Sequence, residues 1–135
     1  LNGTTYKILT KNTVAYEKPI NSAITKVVIP KTIFIKGKKY DVVAISKYAF
    51  SKCSNFKYVS IGENIKVIGK RAFYKCKNLK RIVIKSTKLT STAIGSKAFY
   101  GISKKAKIKV PKNKIKAYKK LLRLKGISRK AKLTH

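Results

Sequence analysis

Residues 48–62, YAFSKCSNFKYVSIG, return 23 positions later at residues 71–85 as RAFYKCKNLKRIVIK. Residues 97–111, KAFYGISKKAKIKVP, form a more degenerate third copy. Seven of the fifteen positions are identical between the first two copies, and Phe56 for Leu79 and Val59 for Ile82 are apolar exchanges. A unit this short cannot bury its own apolar face and has to stack on its neighbours. The repeat therefore predicts a solenoid in which equivalent residues fall into columns.

Each copy has two apolar segments. Phe56, Val59 and Ile61 in the first, Leu79, Ile82 and Ile84 in the second, and Ile108 with Val110 in the third end in period-two alternation, the pattern of a short half-buried strand. Ahead of the strand, residues 45–53 and 68–76 place apolar groups at i, i+4, i+5 and i+8. That spacing predicts one or two helical turns packing Ala49, Phe50 and Cys53, then Ala72, Phe73 and Cys76, then Ala98 and Phe99 into the core. One repeat of about 23 residues is thus a strand plus a short helix, an α/β class of fold.

The flanks are predicted to cap the stack. Thr4 to Leu9 and Thr13 to Glu17 around Thr10-Lys11-Asn12, and Thr32 to Ile35 and Tyr40 to Ile45 around Lys36-Gly37-Lys38-Lys39, have the pattern of β-hairpins. Lys26-Val27-Val28-Ile29-Pro30 has the pattern of a repeat strand whose helix was replaced. After the repeats, Asn113 is placed to cap a helix carrying Ile115, Tyr118, Leu121 and Leu122 on one face, with Gly126 where it stops. Such a helix would seal the last rung; a lysine-studded amphipathic helix lying on an anionic membrane is the other reading. The chain divides as an N-terminal β cap over 1–41, repeats over 42–111 and a C-terminal cap helix and tail over 112–135, all in one domain.

The frame A-F-x-x-C-x-N-[LF]-x-x-[VI]-x-I, met twice within Val42 to Pro111, resembles the Treponema-type, BspA-like leucine-rich repeats common on bacterial cell surfaces. In the third copy Gly101-Ile102 replaces the Lys-Cys step and Lys105 replaces the leucine, so the series is ending. The resemblance implies a curved α/β leucine-rich-repeat solenoid, secreted or on the cell surface, serving as an adhesion or binding module without catalysis.

Charge is the second strong signal. There are 35 lysines and arginines against three acids, Glu17, Asp41 and Glu63, for a formal +32. All but Arg71, Arg81, Arg123 and Arg129 of the basic residues are lysine. Arginine's planar fork reads phosphates and bases geometrically, whereas lysine acts as a flexible point charge, so this surface is suited to diffuse attraction. A coding bias toward lysine would raise the same count but does not account for the missing acids. Apolar runs of four or five residues fall far short of the roughly 18 needed to cross a bilayer. Beginning at Leu1 with no basic-then-apolar leader, the chain has the form of a processed protein or an excised C-terminal piece.

The inventory for chemistry is poor. One histidine and three widely separated carboxylates offer no acid and base pair, no base to activate serine or cysteine, and no metal cluster, and no cofactor motif is present. Cys53 and Cys76 share a slot in adjacent repeats, so their side chains point the same way; buried free thiols are favoured over a disulfide, whose Cβ atoms must converge to about 3.8 Å. Asn2-Gly3-Thr4 has the form of a glycosylation sequon.

What remains is surface. With Leu79, Ile82 and Ile84 inward, alternation places Tyr58, Arg81, Lys85, Lys107 and Lys109 on the exposed, concave sheet face, where repeat proteins bind partners. Tyrosine beside Arg and Lys suits a glycan, an anionic cell-wall polymer or a host matrix protein; a solvated sheet face is the plainer reading. A nucleic-acid-binding protein engaging its partner non-specifically is the first alternative, opposed by the lysine bias and the absence of a nucleic-acid motif. A structural end-piece of a longer surface protein is the second.

Overall fold

The computed structural model describes residues 3–135; Leu1 and Asn2, and with Asn2 the acceptor of the sequon, lie outside the described residues. Two sheets and a column of turns enclose the core. The first hairpin pairs β1 (Thr5–Thr10) with β2 (Thr13–Lys18), and the second pairs β4 (Thr32–Ile35) with β5 (Lys38–Ile45) through the two-residue turn Lys36-Gly37. Both turn residues have positive φ, 49° and 79°, as the tight turn that matches strand twist requires.

The larger parallel array is built from the repeats. β3 (Lys26–Ile29), β6 (Tyr58–Ile61), β8 (Arg81–Ile84), β9 (Lys107–Lys109) and β10 (Lys132–Thr134) lie side by side, every neighbouring pair parallel. Their register aligns Val27, Val59, Ile82, Ile108 and Leu133 in one row, all but the half-buried Leu133 fully inward. A second parallel series runs from β2 through β5 to β7 (Val67–Ile68) and ends in a bridge between Ile68 and Ile94. The three repeats thus contribute β6, β8 and β9 to one sheet, and to the other an extended piece that shrinks from the end of β5 through β7 to the single bridge at Ile94.

The segments between these sheets are not helices. Over residues 46–53 the N–H groups of Ala49, Ser51 and Cys53 donate to the carbonyls three residues back, while those of Tyr48, Phe50 and Lys52 donate to Lys70, Ala72 and Tyr74 of the next repeat at 3.0, 2.7 and 2.7 Å. The pattern recurs from Arg71, Phe73 and Lys75 to Ser96, Ala98 and Tyr100, and once more from Phe99 to Lys125. Tyr48, Lys52, Arg71, Lys75, Lys97 and Gly101 have φ between 53° and 83°, a left-handed kink every fourth residue that an α-helix does not admit. The expectation of a helix per repeat is therefore corrected to stacked β-turns. Spacing i, i+4, i+5 and i+8 suits either form, and bonding to the next repeat satisfies the alternate amides that an isolated turn would leave open.

Ala49, Phe50, Cys53, Ala72, Phe73, Cys76, Ala98 and Phe99 are all buried, in line with their predicted inward face. Phe50, Phe73 and Phe99 stack in sequence at 5.2 and 5.1 Å between ring centroids, and Tyr16 extends the stack from the first hairpin at 5.3 Å. Both cysteines are free, and the Cys76 thiol donates to the Phe50 carbonyl at 2.8 Å.

At the C-terminal end a 3-10 turn (Lys112–Lys114) leads into α1 (Ile115–Leu124), which buries Tyr118, Leu121 and Leu122. Asn113 does not cap it. Pro111 accepts from the Lys114 N–H at 2.9 Å and starts the turn early, leaving Asn113 inside the turn and Lys114 at the cap position with no side-chain bond. The helix ends as expected at Gly126, φ 116°, with its N–H on the Arg123 carbonyl and the Ile127 N–H on that of Leu122, a Schellman closure. The Tyr118 hydroxyl donates to the Ser86 carbonyl at 2.8 Å and accepts from the Leu89 N–H at 3.2 Å, tying α1 to the loop after β8. That hydroxyl's pKa is raised by burial, so it holds its proton and remains able to donate.

Candidate functional site

Alternation sets the solvent side of β3, β8 and β9, whereas in β6 only Tyr58 reaches the surface and Ser60, two positions on, is buried. In β8 the order Arg81, Ile82, Val83, Ile84 reads exposed, buried, half-buried, buried; in β9 Lys107 and Lys109 are exposed around a buried Ile108. Register then joins Lys26, Tyr58, Arg81, Lys107 and Lys132 into one continuous outward row, one residue per strand. With strands about 4.8 Å apart, this row of four cations and a tyrosine spans roughly 19 Å. The Lys26 ammonium sits over the Tyr58 ring, 5.0 Å from its centroid, so the half-buried tyrosine already stacks on one cation.

Of the predicted site residues, Tyr58, Arg81 and Lys107 come together in this row. Lys109 lies one row along, in register with Val83 and Thr134. Lys85 is exposed but falls just past the end of β8, four residues and so about 13 Å along the strand from Arg81, outside the row.

Two members of the row, Lys26 and Lys132, were not anticipated as site residues. For Lys132 a signal was present: Gly126-Ile-Ser-Arg-Lys-Ala-Lys-Leu133 repeats Gly101-Ile-Ser-Lys-Lys-Ala-Lys-Ile108 at a distance of 25 residues. This eight-residue echo carries no Ala-Phe-Cys, so a frame anchored on those residues passes over it. The two segments share local structure: Ala106 and Ala131 donate to Ser103 and Ser128 at 3.2 and 3.0 Å, and both alanines are buried.

A second basic and aromatic cluster lies on the turn column. Tyr74 and Tyr100 stack at 5.8 Å, with Arg71 at 4.9 Å and Lys75 at 5.3 Å from the Tyr74 ring and Lys97 at 5.6 Å from the Tyr100 ring. Here each ring is already engaged within the protein, whereas Arg81, Lys107 and Lys132 on the sheet stand free in solvent.

Neither thiol is poised for nucleophilic work. Burial, then the neighbouring Cys53, pushes the Cys76 thiol up to about 12, and burial raises Cys53 as well, so both stay protonated at neutral pH. Among the described residues no three His, Cys, Asp or Glu side chains gather where one metal ion could be held, and no helix is long and apolar enough to cross a membrane.

A parallel sheet of repeat strands, backed by stacked turns and columns of apolar side chains, defines a leucine-rich repeat protein. The chain belongs to the BspA type leucine-rich repeat family, whose model matches residues 20–123 with six copies. Among solved structures it is similar to a leucine-rich cell surface protein from Faecalibacterium prausnitzii, with a TM-score of 0.61 and 21% identity over 80% of this chain and 31% of that one. It is also similar to leucine-rich repeat proteins from Bacteroides capillosus (TM-score 0.67, 20% identity, 100% of this chain and 96% of that one) and Bacteroides ovatus (0.54, 24%, 82% and 36%). It thus spans about a third of the length of two of these proteins and nearly all of the other. At such identities the likeness concerns the fold. Comparison with curated proteins gives no match.

Proposed function

We propose that this chain is a non-catalytic binding module, a short solenoid of one domain acting outside a bacterial cell, that holds an anionic glycan or wall polymer along the exposed side of its parallel sheet. The in-register row Lys26–Tyr58–Arg81–Lys107–Lys132 carries the reading. Four cations at strand spacing present a linear positive track, with the Tyr58 ring holding the Lys26 ammonium in place along it. Lys85 and Lys109 flank the track and extend its field. The extracellular setting is supported by family membership and by the likeness to the Faecalibacterium cell surface protein.

The test is binding to heparin, as a model sulfated polysaccharide, across a salt series. Arg81→Glu with Lys132→Glu is compared with Lys116→Glu with Lys120→Glu, an equal charge change on exposed positions of α1. The sheet pair is expected to weaken binding by about tenfold or more and to lower the salt slope, since each lost contact removes roughly one released counterion. Equal losses in the two pairs would mean that net charge alone is at work and would sink the row. Tighter binding of duplex DNA than of heparin would favour the nucleic-acid alternative, and tighter binding of a matrix protein would move the partner to that class.

A further inference from the structure

We propose that Lys105, Lys107, Lys130 and Lys132 form a subsite for a compact, multiply charged oxyanion, either linked phosphates or a sulfated sugar unit. This deepens and rests on the anion-binding reading of the sheet. The four lysines alone line one open depression of about 350 Å³ at the β9–β10 end of the array.

Their grouping follows from a change in the repeat. In the first two copies Phe56 and Leu79 are separated from the inward strand residues Val59 and Ile82 by two positions, so alternation is broken ahead of the strand. In the later copies one position separates Ala106 from Ile108 and Ala131 from Leu133. Alternation then runs unbroken: Lys105, Lys107 and Lys109 are exposed around buried Ala106 and Ile108, and Lys130 and Lys132 are exposed around buried Ala131. Lys57 and Lys80 in the earlier copies directly precede their row members, with Phe56 and Leu79 buried two positions ahead, whereas the last two rungs place an exposed lysine two positions ahead, Lys105 before Lys107 and Lys130 before Lys132.

The Lys132 N–H donates to the Ala106 carbonyl at 2.9 Å, and Lys132 is in register with Lys107, so the two pairs lie side by side. Lys107 and Lys132, as strand partners, lie about 4.8 Å apart, and Lys105 and Lys130 hold equivalent places in the turns closed by the Ala106 N–H on Ser103 and the Ala131 N–H on Ser128, just ahead of the two strands. Four ammonium groups held this close repel one another. A single monovalent anion neutralises one of them, whereas two or three clustered phosphates or sulfates neutralise several at once with no further chain to order.

The test titrates the full chain with tripolyphosphate and, separately, with a trisulfated heparin disaccharide, following heat or backbone amide shifts. Saturable one-to-one binding is expected, and the stronger of the two probes tells a phosphate source from a sulfate source. Lys105→Gln with Lys130→Gln, which leaves the Lys107 and Lys132 row members intact, should weaken it about tenfold, at roughly one charge contact per lysine. Lys116→Gln with Lys120→Gln on the helix should leave it unchanged. Equal weakening by both pairs, or no saturable binding of either probe, overturns the subsite. The outcomes for the sheet are separate: if Arg81→Glu leaves heparin binding unchanged while the Lys105 and Lys130 pair still controls tripolyphosphate, the row fails and the subsite stands.

Discussion

Phe50 and Phe73 hold the same slot in successive repeats, and their rings lie face to face, 4° from parallel with centroids 5.2 Å apart. Phe99 stacks on the far side of Phe73, and Phe56 lies 6.3 Å from it, so Phe73 has aromatic neighbours on both sides whereas Phe99 stacks only on Phe73. Phe73→Ala should cost about 3–5 kcal/mol, a large share of the 5–15 kcal/mol typical of a whole domain. Phe99→Ala should cost less. Urea midpoints at a shared m-value check this; equal losses would mean that the rings fill space without supporting one another along the stack.

Gly126 and Gly37 both have positive φ, 116° and 79°, but differ in their surroundings. A Cβ on Gly37 meets nothing within 4 Å, whereas one on Gly126 would lie 2.5 Å from the backbone nitrogen of Tyr100. Gly37→Ala should therefore cost only the backbone term, about 1 kcal/mol. Gly126→Ala adds the clash and should cost about 3 kcal/mol. Thermal melts of the two variants, read against the parent, separate these contributions; equal shifts would show that the helix end yields without cost.

Core positions were legible because the 23-residue period acts directly on side chains. Ala49 with Ala72, Phe50 with Phe73 and Cys53 with Cys76 must superpose whatever the backbone between them does, and all six are buried. The backbone of the same segment was not legible. Helix and stacked turns share one apolar spacing, and what separates them is that Phe50 and Phe73 donate to Ala72 and Ala98 of the next repeat. No residue type announces such a bond. Strand β10 was hidden differently, behind a helix that interrupts the series and in a copy that keeps Lys-Ala-Lys but lacks Ala-Phe-Cys. Of the candidate site, alternation placed Arg81 and Lys107 together, but Lys26 and Lys132 joined them only once the order of strands was known.

Arg81, Lys107 and Lys132 stand in register on adjacent strands, and like charges directly opposite one another oppose pairing. At about 4.8 Å in water each adjacent pair repels by roughly 0.9 kcal/mol before screening. The melting temperature should therefore rise from low to moderate salt, by several degrees given about 4 °C or less per kcal/mol at this size. It should rise further with tripolyphosphate at constant ionic strength. Arg81→Gln should flatten part of the salt response, and a flat or falling response in the parent would remove charge repulsion as a determinant of stability.

The Cys76 thiol is fully buried, donates to the Phe50 carbonyl at 2.8 Å, and is pushed up to about 12 chiefly by burial. An unfolded chain would release this proton near pH 8.5, so between that pH and the folded value the unfolded state holds fewer protons than the folded one. Stability from this group is therefore complete below about pH 8.5 and is lost as pH rises, by up to about 1.4 kcal/mol per pH unit. Cys76→Ala should cost about 1–2 kcal/mol at pH 7, from the lost hydrogen bond and sulfur packing, but it removes this titration. The gap between parent and variant should then shrink from pH 9 to pH 10 by about 1.2 kcal/mol. The buried tyrosines Tyr6, Tyr16 and Tyr118, whose hydroxyls burial also raises, are common to both proteins and largely cancel in the difference. Urea midpoints under reducing conditions give the measurement; a gap that stays constant with pH would mean that the folded protein lets the thiolate form, and that the thiol is more accessible than its packing against the Phe50 carbonyl implies.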